Sequence, residues 1–152
     1  MTESFRASVR WQRTSPDFTF DSYNRAHDVV FGSGSAVKAS SAPAYRGEAD
    51  RVNPEEQLVG ALSSCHMLTF LAVAAKKRFV VDAYEDDADG VLDKNAESRL
   101  AVTRVVLRPR VVFSGDRIPS VEELASLHEL AHKGCFIANS VKTEVVWEPR
   151  GA

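Results

Sequence analysis

Hydrophobic and polar side chains alternate one by one from residue 4 to residue 13. Phe5, Ala7, Val9 and Trp11 fall on one side, and Arg6, Ser8, Arg10 and Gln12 on the other. Period two predicts a half-buried antiparallel strand. Ser15-Pro16-Asp17 is a turn, and residues 18–20 open a second short strand. Val29-Val30-Phe31 is an apolar knot ahead of a Gly-Ser turn, and residues 40–52, small and polar, read as a loop. The pattern then changes. Residues 53–78 predict a long helix: Asn53 caps it, Pro54 suits its first turn, and Glu55 and Glu56 meet the positive end of its dipole. Lys76, Lys77 and Arg78 lie at the other end. Residues 58–75 between them are almost uncharged. A helix apolar nearly all round must be buried by the rest of the protein or by a partner chain.

Beyond the helix, residues 79–84 are β-prone. The strand is expected to run through Glu85-Asp86-Asp87 to Leu92 with its acids on the wet face, in preference to a turn at Asp89-Gly90. Residues 100–113 form a long β-rich stretch in which Pro109 marks an edge or a bulge. Ser120 with Glu123 three positions on makes a capping box for a second helix, with Leu124, Leu127, Leu130 and Ala131 as its apolar stripe and Lys133-Gly134 at its end. A further helical turn around residues 134–141 and a last strand over residues 142–148 complete the order. Strands not separated by regular helical crossovers indicate an α+β fold with largely antiparallel sheets around the long apolar helix. Residues 1–152 are expected to form one domain.

Composition narrows the function classes. A hydrophobic fraction of 44%, a charged fraction of 26% and a net charge of −2 describe an ordinary globular protein with no broad electrostatic pull towards nucleic acid or an anionic membrane. The opening MTESFRASVRW has no apolar core of signal-peptide type. The long helix contains Ser, Gly and His and reads as core, not as a membrane span. The expected compartment is the cytoplasm. Two cysteines, Cys65 and Cys135, make no disulfide scaffold, and no CxxC pair is present.

Cys65 lies among Leu58, Ala61, Leu62, Leu68, Thr69 and Ala72 at helical spacings, where a free cysteine usually serves as a small core hydrophobe. Apolar surroundings raise a thiol's pKa, so a reactive Cys65 needs a cation from elsewhere, and arginine is the natural one. Glu55 lies about 80° around the helix from Cys65 and about 15 Å along its axis, so only a long intermediary can link the two. Arg25, Arg46 and Arg51 precede the helix, and Arg25 stands between a Tyr-Asn pair and an Ala-His pair. His128, His132 and Cys135 are metal-ligand types at i, i+4 and i+7, and Cys65-His66 could add to them. The turn signal at Gly134 interrupts that face, so the histidines read as solvated or partly buried, and no metal or cofactor is expected.

NPEEQLVGALSSCHMLTF, residues 53–70, resembles the helix motif of the OsmC/Ohr family (osmotically induced and organic hydroperoxide resistance proteins). Glu55 and Cys65 keep the family's spacing without a gap. AHKGCFIANSV, residues 131–141, resembles the second cysteine segment of the OsmC-like branch. The resemblance implies an OsmC-like fold in an intertwined homodimer, and a thiol peroxidase that reduces organic hydroperoxides. It implies that Cys65 is the attacking thiolate and that Cys135 resolves its sulfenic acid as a Cys65–Cys135 disulfide. An external dithiol, in the family often a dihydrolipoyl protein, would reduce that disulfide. It further implies an arginine held by Glu55 that stabilises the thiolate. Arg25 is carried over to that role, although YNRAH stands where the Ohr branch has Gly-Gly-Arg. Tyr23, Phe70 and Phe136 are candidate pocket-lining residues. The competing reading is a non-catalytic dimeric ligand-binding module on the same fold.

Overall fold

In the computed structural model, which describes residues 1–151, the alternating segment becomes β1 (Ala7–Arg10). It pairs antiparallel with β2 (His27–Phe31), which pairs antiparallel with β3 (Ala36–Ala39). The Val29-Val30-Phe31 knot is therefore the central strand of a three-stranded sheet. Gly34, at φ +88°, turns the chain from β2 to β3, a conformation glycine adopts without steric cost. A short 3-10 turn, Pro43–Tyr45, sits within the expected loop. These strands and the first residues of the long helix form one compact unit, Met1–Gln57, and a second begins at Leu58.

Two expectations fail in the first unit. Residues 18–20 are not a strand: the backbone N–H groups of Ser22 and Tyr23 both donate to Thr19 O and curl the chain, and Phe18 clusters with Trp11 and Tyr23. Phe5, Val9 and Trp11, the side expected to be half-buried, are exposed. Alternation marks a face fit for burial, and nothing within the N-terminal unit covers this one.

The long helix is α1 (Pro54–Lys76). Its start is a reciprocal cap: Glu56 N–H donates to Asn53 Oδ1 at 2.8 Å, and Asn53 N–H donates to Glu56 Oε2 at 3.0 Å. At its end Arg78 takes a positive φ of 64°, and Phe79 N–H reaches back to Ala74 O. Its buried stripe is Leu62, His66, Phe70 and Ala74, repeating at four. Leu62 packs with Val105, Leu107 and Val145 in one core, while Phe70 and Ala74 pack with Phe79, Val111, Leu127 and Ala131 in another. The helix is long and apolar enough to cross a membrane, but it serves here as the helix that two cores share.

In the second unit β4 (Val80–Asp86) pairs with β7 (Pro109–Ser114), and β5 (Asp89–Lys94) pairs with β6 (Leu100–Leu107), both antiparallel. A last strand, β8 (Glu144–Trp147), runs parallel to β6. The strand expected to continue to Leu92 breaks after Asp86. Its carboxylate accepts from Ser63 Oγ and from Arg108 N–H, which ends β4, and the chain moves to the other sheet. The stretch 100–113 breaks at Arg108, and Pro109 is the buried first residue of β7, where its missing N–H leaves no gap in the ladder. The second helix, α2 (Val121–Gly134), has the expected capping box, with Glu123 N–H donating to Ser120 Oγ and Ser120 N–H to Glu123 Oε2. It ends at Gly134, as the Lys133-Gly134 signal indicates. A 3-10 turn, Ala138–Ser140, follows. Two helices with largely antiparallel sheets make an α+β fold.

Candidate active site

Cys65 sits at the middle of α1, one position before His66 of the buried stripe, and is half-buried. Cys135 is the residue that caps α2. Its extended backbone (φ −73°, ψ 109°) turns the chain out of the helix, and its thiol is 1% exposed. The two thiols, seventy positions apart in sequence, lie close enough for Cys65 to act on the Cys135 thiol, and neither is in a disulfide. Ala138 N–H donates to Cys135 Sγ at 3.4 Å.

Local sequence explains this approach. At Gly134 an added Cβ would lie 2.9 Å from Thr69 Cγ2, so only glycine lets the end of α2 come this close to α1. Thr69 in turn donates its hydroxyl to Cys65 O at 2.9 Å, tying its side chain to the turn that carries the cysteine. Above the pair lies an open groove of about 490 Å³, lined by Ala61, Ser64, Cys65, Leu68, Thr69 and Ala72 of α1 and by Gly134, Phe136 and Ile137. Its walls are mostly apolar. The stripe around Cys65 is thus an open groove, contrary to the expectation of a core position. Of the expected lining residues Phe136 is there, but Phe70 is fully buried in the core, because the stripe that faces inward runs through Phe70 and not through Cys65.

Burial, then the neighbouring Cys65, push the Cys135 thiol up to about 11, so it remains protonated at neutral pH. Cys65 opens to the groove. Two free thiols near each other, one reachable and one sealed, suit dithiol–disulfide chemistry.

The other expected residues stand as follows. Glu55 is the second residue of α1 and half-buried, leaving the capping contact to Glu56. Arg25 belongs to the N-terminal unit and is buried. Its Nη1 donates to Tyr23 O and its Nη2 to Phe20 O, both at 2.6 Å, and its guanidinium carbon is 3.8 Å from the Tyr23 ring centre. Arg46 instead pairs with Asp21 at the surface, and Arg51 reaches His27 O. Tyr23 is thus a partner of Arg25.

Among the described residues no group of three His, Cys, Asp or Glu side chains stands where it could hold a metal ion. His128 is fully buried, contrary to its expected partial exposure, whereas His132 is partly buried as expected; the His128 ring stacks against that of the equally buried His66. The signal for this was the stripe itself: His66 follows Leu62 by four, and His128 follows Leu124 by four. On a helix with no clear polar face, that signal is weak.

The model of the family described as OsmC-like protein matches residues 47–150. The structure of an OsmC-like protein of unknown function from Vibrio cholerae is 48% identical, covers 98% of this chain and 100% of its own, and superposes with a TM-score of 0.94. The organic hydroperoxide resistance protein OhrB of Bacillus subtilis has the same fold at 16% identity, with a TM-score of 0.68 over 99% of this chain and 98% of its own. The uncharacterized protein YmaD of Bacillus subtilis is 24% identical over 126 residues, 80% of this chain and 82% of that protein.

Proposed function

The chain belongs to the OsmC-like protein family, and from that premise we propose that it is a thiol peroxidase that reduces organic hydroperoxides. One observation carries this reading: Cys65 opens to an apolar groove with the buried Cys135 beside it, and both are free. Neighbours on the same fold are described as organic hydroperoxide resistance proteins, which fits the reading.

In this mechanism the Cys65 thiolate attacks the terminal oxygen of a hydroperoxide. The O–O bond breaks, the sulfur is oxidised to a sulfenic acid, and the alkoxide takes a proton to leave as an alcohol. Cys135 sulfur then attacks the Cys65 sulfur, the S–O bond breaks, and the Cys135 proton joins the departing hydroxide as water. An external dithiol, such as a dihydrolipoyl group, returns the disulfide to two thiols by exchange. The groove walls favour a substrate with an apolar body over hydrogen peroxide. The family resemblance assigns the charge that holds Cys65 as thiolate to Arg25, and the carboxylate that steadies it to Glu55. It also makes the working form a homodimer.

The test is a thiol titration before and after one equivalent of cumene hydroperoxide. The peroxidase consumes both thiols and yields an intramolecular Cys65–Cys135 disulfide by peptide mapping. Survival of both thiols overturns the reading in favour of a ligand-binding module. Arg25→Ala should slow thiol loss far more than Arg46→Ala, and equal effects would place the activating charge elsewhere.

A further inference from the structure

The contact between α1 and α2 is built around two side chains that the peroxide reaction does not use. His66 projects from the buried stripe of α1 and His128 from that of α2, and they are 1% and 0% exposed. Their rings stack 11° from parallel with centroids 5.4 Å apart, and His66 Nε2 lies 3.1 Å from His128 Nδ1. That separation is one N–H···N hydrogen bond, in which one neutral ring donates and the other accepts. Whichever ring donates, one N–H and one lone pair remain at the outer nitrogens. Both outer nitrogens, His66 Nδ1 and His128 Nε2, are buried without a partner among the described residues. The pair is therefore at the limit of what this core tolerates. One added proton leaves two buried N–H groups unpaired, and a second destroys the N–H···N bond itself.

The surroundings offer little to hold such a charge. Phe70 lies against His128 at 4.5 Å between ring centres, and the uncharged Trp147 side chain of β8 lies against His66 at 5.9 Å. Besides each other, the charges that act on the pair are His132 of α2 and Asp86 of β4, both on His66. Asp86 favours a charge on His66, but its carboxylate is already engaged by Ser63 Oγ and Arg108 N–H, while His132 opposes one. The same two helices bring Cys135 onto Cys65, so whatever loosens their contact loosens the thiol pair.

We propose that the His66–His128 contact is an acid-released latch between α1 and α2. Neutral, it holds Cys135 against Cys65; protonated, it lets the end of α2 lift away and parts the two thiols. The latch rests on the thiol geometry, and it draws on the peroxidase reading only for its consequence, slower disulfide closure in acid. Burial, ahead of any neighbouring charge, holds both histidines down from the usual 6.5 to about 4. Because the latched values lie below those of a released histidine, the released form binds more protons between pH 6.5 and 4. The latch is therefore at full strength above pH 6.5 and weakens as pH falls towards 4. Each histidine shifts the opening equilibrium by up to about tenfold per pH unit in that window.

The test uses the reduced protein without peroxide. In a Cys65→Ser variant, the rate at which 4,4′-dithiodipyridine labels Cys135 is measured from pH 7.5 to 4.5 and divided at each pH by the rate for the urea-unfolded chain. The latch predicts that this ratio rises at least about tenfold between pH 6.5 and 5, and that it stays flat in a variant that also carries His66→Phe and His128→Phe. A flat ratio in the parent, or an equal rise in both, overturns it. Should the double replacement not fold, His128→Gln replaces it in the same comparison. NMR titration of the imidazoles in the unaltered protein gives a second reading: values well below 6.5 support the latch, and values at or above 6.5 overturn it. Failure here leaves the cumene hydroperoxide result untouched, and survival of both thiols under peroxide leaves the labelling result untouched.

Discussion

Gly134 is where a single hydrogen in place of a methyl group decides the geometry of the thiol pair. A Cβ there would press on Thr69 Cγ2 at 2.9 Å, and Thr69 is branched and anchored by its bond to Cys65 O. Gly134→Ala should therefore cost about 1–3 kcal/mol in urea unfolding as an overpacking change, and should slow disulfide formation by moving Cys135 off Cys65. Thr69→Ser, which keeps the hydroxyl and removes the methyl, should restore both in the double variant. Failure of that rescue would show that the contact is not the cause. Cys135 supports a second expectation. Its thiol is held up to about 11, above the ordinary value of 9, so between these pH values the unfolded chain has lost the proton that the folded one keeps. Stability should fall as pH rises from 9 to 11, by at most about 1.4 kcal/mol per pH unit, and Cys135→Ala should flatten that limb of the urea-unfolding profile. Neither feature was legible in the chain alone. Cys65 and Cys135 are seventy positions apart, and no local rule brings distant cysteines together. On α1 apolar residues surround the axis, so periodicity could not tell the groove stripe of Cys65 from the core stripe of His66. What pointed to the pair was the resemblance of its two segments.

Elements were legible where their signals are local. The caps of both helices were foreseen from adjacent residues, and in the structure Asn53 with Glu56, and Ser120 with Glu123, exchange hydrogen bonds as those patterns require. Ser120→Ala should cost about 1 kcal/mol in urea unfolding; a loss within error would mean that the end of α2 draws nothing from its cap. The breaks at Asp87-Ala88 and Arg108 were not foreseen, because each depends on Asp86 accepting from Ser63 and Arg108, residues distant in sequence from it. The seat of α1 on its sheet was equally hidden. Gly90 is a strand residue, as preferred over a turn, but nothing local shows that its missing side chain admits Val59, with Cγ2 only 2.5 Å from where a Cβ would stand. Gly90→Ala should destabilise the protein by about 1–3 kcal/mol, and Val59→Ala in the same chain should recover much of the loss, as measured by urea midpoints.

For the whole molecule, the question is what covers the apolar surface each unit leaves open. In the N-terminal unit Phe5 is 91% exposed, Val9 67% and Phe20 73%, although the alternation of β1 is that of a strand with one buried face. Strand β1 pairs with β2 on one side only, so its other edge offers unpaired backbone groups beside that bare face. In the second unit Leu68 is 60% and Phe136 80% exposed at the groove that holds Cys65. Scattered apolar residues on a surface are ordinary, but clusters on a strand face and around a reactive thiol mark surfaces that meet a partner. A second copy of the chain is the expected partner, since a helix apolar nearly all round is buried by the rest of the protein or by a partner chain. The protein should therefore sediment as a dimer at micromolar concentration. Val9→Glu, which puts a charge on the bare face of β1 without touching the second unit's cores, should shift it towards monomer at least tenfold in dissociation constant, about 1.4 kcal/mol. If the unaltered chain sediments as a monomer, the bare face needs another explanation. If the Val9→Glu chain stays as dimeric as the parent, any dimer forms through the groove side and leaves β1 open.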